Sequence, residues 1–268
     1  MQIQGKAVLV TGAGRGIGRA MCREFARRGA GGIVVADLDG ALARATAAEL
    51  GGLGLQCDVA DPAAVEAMVR AAEAHLGRVD LLVSNAGFGA GSLDLEDALS
   101  APDAVWQRMW DVHVMAHARA CRAVLPGMLA RGGGALVNVA SAAGLLSQVG
   151  DTPYSATKHA AVALAESLAI TCGDRGIQVS VVCPQYVATA ITGLDEATAP
   201  GALPGVLTVE QAAAAIADGI ESGRFLILTH PEVAGFFQRK AADHDRWLAG
   251  MRRLRDGLRS GGFLKLKS

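Results

Sequence analysis

The chain has 268 residues, 51% of them hydrophobic, with a formal net charge of -1, five cysteines and six histidines. That length and apolar content suffice for one sizeable core, and α/β chains of this size are commonly a single domain. The near-neutral charge gives no electrostatic case for nucleic acid or an anionic membrane, and cysteines without C-x-x-C spacing read as buried thiols rather than as a disulfide framework or a metal site.

Residues 7–10 form a short apolar, β-prone run that leads at once into Thr11-Gly12-Ala13-Gly14-Arg15-Gly16-Ile17-Gly18 and then into a helical pattern. Strand, glycine turn and helix in that order make a pyrophosphate cradle. The glycines keep the turn tight and let the backbone approach, and the helix N-terminus offers free N–H groups. Gly12, Arg15, Gly16, Ile17 and Gly18 are therefore the candidate dinucleotide contacts. The glycine spacing departs from the strict G-x-G-x-x-G fingerprint, so context has to carry the reading. The helix is expected to bury Ile17, Met21, Cys22, Phe25 and Ala26 and to stop at Gly29.

A second strand, 33–36, ends in Asp37, nineteen positions after Gly18. A carboxylate there accepts hydrogen bonds from the adenosine ribose and repels a 2′-phosphate, which favours NAD over NADP. Two observations pull against this. Asp37 also suits the start of the turn Asp37-Leu-Asp39-Gly40, and Arg15 can pair with a phosphate. A third strand is read at 55–59 with Asp58 at its end, then Asp61-Pro62 as N-cap and first-turn proline of a helix. A fourth strand, 81–83, runs into Ser84-Asn85-Ala86-Gly87, and Gly132 to Gly134 lead into a fifth at 135–139. Strands alternating with helices predict a Rossmann-type α/β fold, a doubly wound parallel sheet with helices on both faces, over residues 1–268 as one domain without linkers or repeats.

Tyr154 and Lys158 lie four apart, one turn apart on one helix face. An ammonium beside a phenol favours the phenolate and is expected to lower the tyrosine pKa toward the range of a general acid or base. Alone the pair is weak, because Tyr and Lys recur four apart on many surface helices. Together, Thr11-Gly12-x-x-x-Gly16-x-Gly18, Asn85-Ala86-Gly87, Ser141 and Tyr154-x-x-x-Lys158 closely resemble the short-chain dehydrogenase/reductase family in its compact single-domain branch, with order and separations matching across roughly the first three quarters of the chain.

The resemblance implies hydride transfer between NAD(H) and a secondary alcohol or ketone. Tyr154 would be the acid/base, and Ser141 would polarise the substrate oxygen. Lys158 would hold the nicotinamide ribose, Asp58 and Val59 would flank the adenine, and Asn85, Ala86 and Gly87 would line the cofactor cleft. Pro184, Val187 and Thr189 would hold the carboxamide. It also implies a homodimer or homotetramer through helices at 106–129 and 154–171.

Three departures stand out. His113 occupies the place of an Asn that helps hold a relay water, and it reads either as a relay member, being titratable near neutrality, or as a packing residue. Gln185 replaces a common Gly. The end of the chain, after a strand at 225–228, carries a polar helical extension over 230–268. There Trp247, Met251, Leu254 and Leu258 repeat at helical spacing and Asp243, Asp245 and Asp256 dilute the positive charge. That favours a docking or subunit-contact helix over a membrane-surface one.

Segments just beyond the strand ends offer Leu93, Leu145, Leu146, Val149, Tyr186, Ile191 and Leu194 with few fixed cations, which suits an apolar, cyclic or aromatic substrate. Residues 190–207, rich in Gly, Ala and Pro, read as a substrate lid or an ordinary loop. Two alternatives remain open, an NADP-dependent reductase of 3-oxoacyl thioesters and a non-catalytic nucleotide-binding or sensing protein, although the latter would need no Ser, Tyr and Lys. The first strand starts close to Met1 and no apolar run reaches the ~18 residues of a membrane span, so the expected location is the cytoplasm.

Overall fold

The computed structural model describes residues 1–89, 93–193 and 205–260. Seven parallel strands lie in the order β3-β2-β1-β4-β5-β6-β7: β1 Ala7–Thr11, β2 Gly32–Asp37, β3 Leu53–Gln56, β4 Leu81–Ser84, β5 Gly134–Val139, β6 Ile177–Val182 and β7 Leu226–Ile227. The helices are α1 Gly16–Arg27, α2 Gly40–Glu49, α3 Pro62–Leu76, α4 Asp103–Trp110, α5 Ala116–Ala130, α6 Ala143–Leu146, α7 Thr152–Cys172, α8 Val209–Glu221, α9 Glu232–Ala242 and α10 His244–Arg259.

Strand periodicity divides the core in two. Val8 and Val10 point to one face and Leu9 to the other, and the same alternation repeats along β2, β4 and β5. One face packs on Met21 and Phe25 of α1, Ala43 of α2 and Ile216 and Ile220 of α8. The other packs on Val65 and Met68 of α3, Val124 and Met128 of α5 and Ala161 and Ala165 of α7. Full burial of Phe25 is worth roughly 2 to 3 kcal/mol. Helices on both faces explain why every residue of the central strands β1, β4 and β5 is buried.

Strand order reverses between β1 and β4, and in such sheets ligands bind outside the carboxyl ends of the strands at that switch point. The glycine turn after β1, Asn85-Ala86-Gly87 after β4, Ser141 after β5 and Pro184 after β6 all emerge at that edge. The third strand is shorter than the sequence suggests. It ends at Gln56, and Asp58 sits beyond it in a turn where its Oδ1 accepts the Ala60 N–H at 3.0 Å, because this local bond competes with the ladder. Asp61 caps α3 as expected, accepting the Ala63 N–H at 2.9 Å. Among the described residues no helix is long and apolar enough to cross a membrane.

Candidate active site

The turn after β1 and the segment after β4 are stitched together by their own polar groups. Thr11 Oγ1 accepts the N–H groups of Asn85 (3.0 Å) and Ala86 (3.2 Å), while Asn85 Nδ2 donates to the carbonyls of Thr11 (3.0 Å) and Gly12 (2.9 Å). Contact this close excludes side chains. Gly12 has φ +62°, and a Cβ there would lie 2.6 Å from Ala86 Cα. A Cβ on Gly18 would collide with the Gly12 carbonyl and lie 2.6 Å from Asn85 Nδ2.

α2 and α3 are capped by Asp39 and Asp61, but α1 begins at exposed Arg15 with no side-chain cap and no acid in its first turn. A helix start of that kind, fed by a glycine turn, fits a pyrophosphate. Asp37 is buried at the end of β2. Its Oδ2 accepts the Gly14 N–H at 2.8 Å and its Oδ1 the Asp39 N–H at 3.0 Å, so the carboxylate both shapes the glycine turn and starts the next one. Each oxygen keeps a second lone pair for a ligand hydroxyl. Ile17 is half-buried, Val59 packs into the core, and the Asp58 carboxylate faces Arg108 at 3.0 Å.

On the other side of the switch point, the Asp151 carboxylate caps α7 by accepting the Tyr154 N–H at 3.1 Å. This fixes the phenol in the first turn and places Lys158 one turn later. Lys158 is buried, with Nζ donating to the Val139 carbonyl at 3.2 Å and lying 5.5 Å from the centre of the Tyr154 ring. Ser141, whose Oγ accepts the Ala143 N–H at 3.1 Å, hydrogen-bonds the phenol.

The expectation of a lowered tyrosine pKa is not met in the folded chain. Burial raises it, outweighing the Ser141 hydrogen bond, and Asp151 and Cys183 push the same way. Lys158 is itself driven down to about 8 by burial, so the ammonium gives up part of its hold on its own proton instead of dominating the phenol.

His113 lies in one turn of π-helix, Asp111–Met115, inserted between α4 and α5. The turn carries the imidazole fully inside. The Phe88 N–H donates to Nε2 (3.2 Å), so the ring proton sits on Nδ1 and goes to Thr157 Oγ1 (2.9 Å), whose hydroxyl donates to the Pro153 carbonyl (2.8 Å). Burial first and the Lys158 charge second push its pKa down to about 2. The ring packs edge-on against Tyr154 with centroids 5.6 Å apart, and a Cβ on Gly87 would touch both His113 and Lys158.

A family model described as short chain dehydrogenase matches residues 6–199. This chain belongs to the short-chain dehydrogenase/reductase family. It is 38% identical to D-threitol dehydrogenase of Mycolicibacterium smegmatis over 71% of this chain and 73% of that protein. It is 34% identical to the oxidoreductase UcpA of Escherichia coli over 96% and 95%. A solved short-chain dehydrogenase/reductase from Burkholderia phymatum in complex with NAD superposes with a TM-score of 0.79 at 32% identity, covering 91% of this chain and 96% of that one.

In this short-chain dehydrogenase/reductase, Ser141 opens into a cavity of about 610 Å³. One wall is Ala142, Ala143, Leu146 and Tyr186. The opposite material comes from the C-terminal extension, where Phe236 of α9 and Trp247, Met251 and Leu254 of α10 line the space. Sequence reasoning assigned none of these residues to the site; Phe236 went unremarked, and Trp247, Met251 and Leu254 were read with Leu258 as the stripe of a docking or subunit-contact helix. In the fold, Trp247, Met251 and Leu254 of that stripe line the chain's own cavity.

Several expected substrate contacts fall elsewhere. Leu145 is a core residue, because α6 turns it inward and Leu146 toward the cavity. Leu93 packs on Gly150 and Ile191 over Gly89, neither lining that cavity, and Val149 is half-buried outside it. Leu194 and most of 190–207 lie outside the described residues. Pro184 accepts the Ala142 N–H at 2.7 Å. Val187 pairs with Leu207, and Thr189 Oγ1 donates back to the Val187 carbonyl at 3.3 Å, which keeps this segment beside Ser141. Ser147, in the cavity wall, holds φ +77°, a strained backbone for a non-glycine residue.

Proposed function

We propose that this oxidoreductase interconverts a secondary alcohol and a ketone on a largely apolar, ring-bearing body, with NAD(H) as its cofactor. The observation that carries the reading is the convergence of Ser141, Tyr154 and Lys158, with Ser141 opening into the cavity that Phe236 and Trp247 also line. The bound nicotinamide supplies or accepts the hydride.

The rest is done by the chain. Gly12, Gly16 and Gly18 with the start of α1 hold the pyrophosphate, and the Asp37 carboxylate takes the adenosine ribose and repels a 2′-phosphate. Lys158 holds the second ribose. The Tyr154 hydroxyl gives its proton to the carbonyl oxygen in reduction and takes it back in oxidation, while Ser141 donates to the same oxygen as charge develops there, a contribution of about 3 kcal/mol to the barrier. Burial keeps the Tyr154 phenol in its protonated form at neutral pH, the form that can donate to a carbonyl oxygen. His113, with both nitrogens engaged, acts by positioning α7 and the Tyr154 ring. Exposed Trp110 on α4 and Ile170 on α7 support assembly as a homodimer or homotetramer through those helices.

The test is nucleotide fluorescence during incubation with NADH or NADPH and a panel of ketones. Turnover with NADH on apolar cyclic or aromatic members is the expected result. Tyr154→Phe should lower kcat by about 100-fold or more while leaving NADH affinity within about twofold. A Tyr154→Phe protein that retains most of its activity defeats the assignment.

A further inference from the structure

The cavity wall contributed by the C-terminal helices carries charge as well as apolar surface. Arg239 of α9 and Arg246 and Arg253 of α10 all line it, the last two seven residues apart and so on one helix face. Arg253 Nη2 lies over Gly250, and the Arg239 guanidinium stacks on Phe236 at 4.8 Å, an arrangement that leaves its edge N–H donors available.

Other arginines of α10 are spent on carboxylates, Arg255 on Asp256 at 2.9 Å and Arg259 on Glu96 at 2.6 Å. Among the described residues, Arg239, Arg246 and Arg253 form no ion pair. Among the described residues the one acid in the wall is Asp243, engaged as N-cap of α10 by accepting the Arg246 N–H at 2.9 Å. The cavity is therefore lined by Ser141, by the apolar side chains of Leu146, Phe236, Trp247 and Met251, and by three guanidinium groups from α9 and α10.

From this juxtaposition we infer that the substrate is amphipathic, a secondary alcohol or ketone on an apolar body that ends in an oxyanion, a carboxylate or a phosphate ester, held by Arg239, Arg246 and Arg253. The inference rests on the reading that Ser141 and Tyr154 mark the reacting end. It replaces the expectation of a pocket with few cations, since the arginines come from a segment remote in sequence.

The probes are oxocyclohexane carboxylates with spacers of increasing length, each compared with its methyl ester and its phosphonate. Each is measured twice on the full-length protein, by kcat/KM with NADH and by calorimetric binding in the presence of NADH. At one spacer length the free acid or phosphonate should exceed the ester by about tenfold or more, chiefly in KM, with the advantage shrinking as salt rises. The acid-to-phosphonate ratio then distinguishes carboxylic acids from phosphate esters. The double variant Arg246→Gln/Arg253→Gln should bring the acid-to-ester ratio toward one, whereas Arg252→Gln, exposed on α10 outside the cavity, should leave it unchanged.

Esters that bind and turn over as well as acids at every length would overturn the inference while leaving the alcohol/ketone reading intact. So would a ratio that survives the double variant. Acids that bind preferentially without turnover of any ketone would uphold the anion site and sink the redox reading instead.

Discussion

The nucleotide wall made by β1, α1 and β4 and the cavity wall made by α9 and α10 are built differently. The first is backbone held by backbone and by Thr11 and Asn85, with glycines where any side chain would collide. The second consists of long side chains on helices that bury little of their own, since α10 has no buried residue and α9 buries Val233. Backbone contacts tolerate few residue types, so the nucleotide wall leaves a short, readable signature. A wall of exposed side chains works with many sequences. Its meaning depends on where the helix docks.

Gly18→Ala attacks the first wall most directly. The added methyl meets the Gly12 carbonyl and Asn85, and should cost about 2 to 3 kcal/mol of stability and abolish stabilisation by NADH in thermal unfolding. A variant with normal NADH protection would break the claim that close backbone contact makes this wall. Trp247→Ala tests the second. It should lower kcat/KM for apolar ketones about tenfold through KM and leave NADH affinity unaltered, and an effect on NADH instead would mean that α10 serves the nucleotide side. Asp37→Ala should reduce discrimination against NADPH by about tenfold, measured as the ratio of kcat/KM values for the two nucleotides. An unchanged ratio would remove the physical reason for preferring NAD.

The effect that is smallest at neutral pH concerns two histidines one turn apart behind the catalytic groups. His113 has both nitrogens hydrogen-bonded, whereas among the described residues neither nitrogen of His117 has a partner, and burial with the Lys158 charge pushes the His117 pKa down to about 3. In the unfolded chain His117 titrates near ~6.5. Below that pH the unfolded state binds a proton that the folded state does not, so stability falls on acidification by up to about 1.4 kcal/mol per pH unit. Above it the group contributes no pH dependence. His117→Leu should therefore flatten the decline of stability between ~pH 6.5 and ~pH 4 and be neutral or stabilising near pH 7 in denaturant unfolding. An acid limb of unchanged slope would show that His117 titrates normally.

Much of the molecule was legible before any coordinates. Alternating strand and helix patterns marked β1, β2, β4 and β5 to within a residue or two, because each buried strand is a short run of apolar residues flanked by turn chemistry. Asp58 was misplaced because a side chain that bonds its own backbone ends a strand without changing its hydrophobic pattern. Gly14, which supplies the N–H that Asp37 holds, went unassigned because its partner lies on another strand. The tyrosine pKa was misjudged for a related reason. The four-residue spacing speaks of the lysine, but burial, which outweighs it, is a property of the packed site.

By itself the sequence determined the doubly wound sheet, the glycine turn, and the order in which Ser141, Tyr154 and Lys158 follow one another, since these depend on local backbone preferences and on spacing along one helix. Tertiary structure alone decided that Leu146 and not Leu145 faces the cavity, that His113 is locked by Phe88 and Thr157, and that a C-terminal helix brings Trp247 and its arginines to the cleft. Contacts between residues a hundred positions apart are set by how whole elements pack, and no periodicity in a single strand or helix records its neighbour.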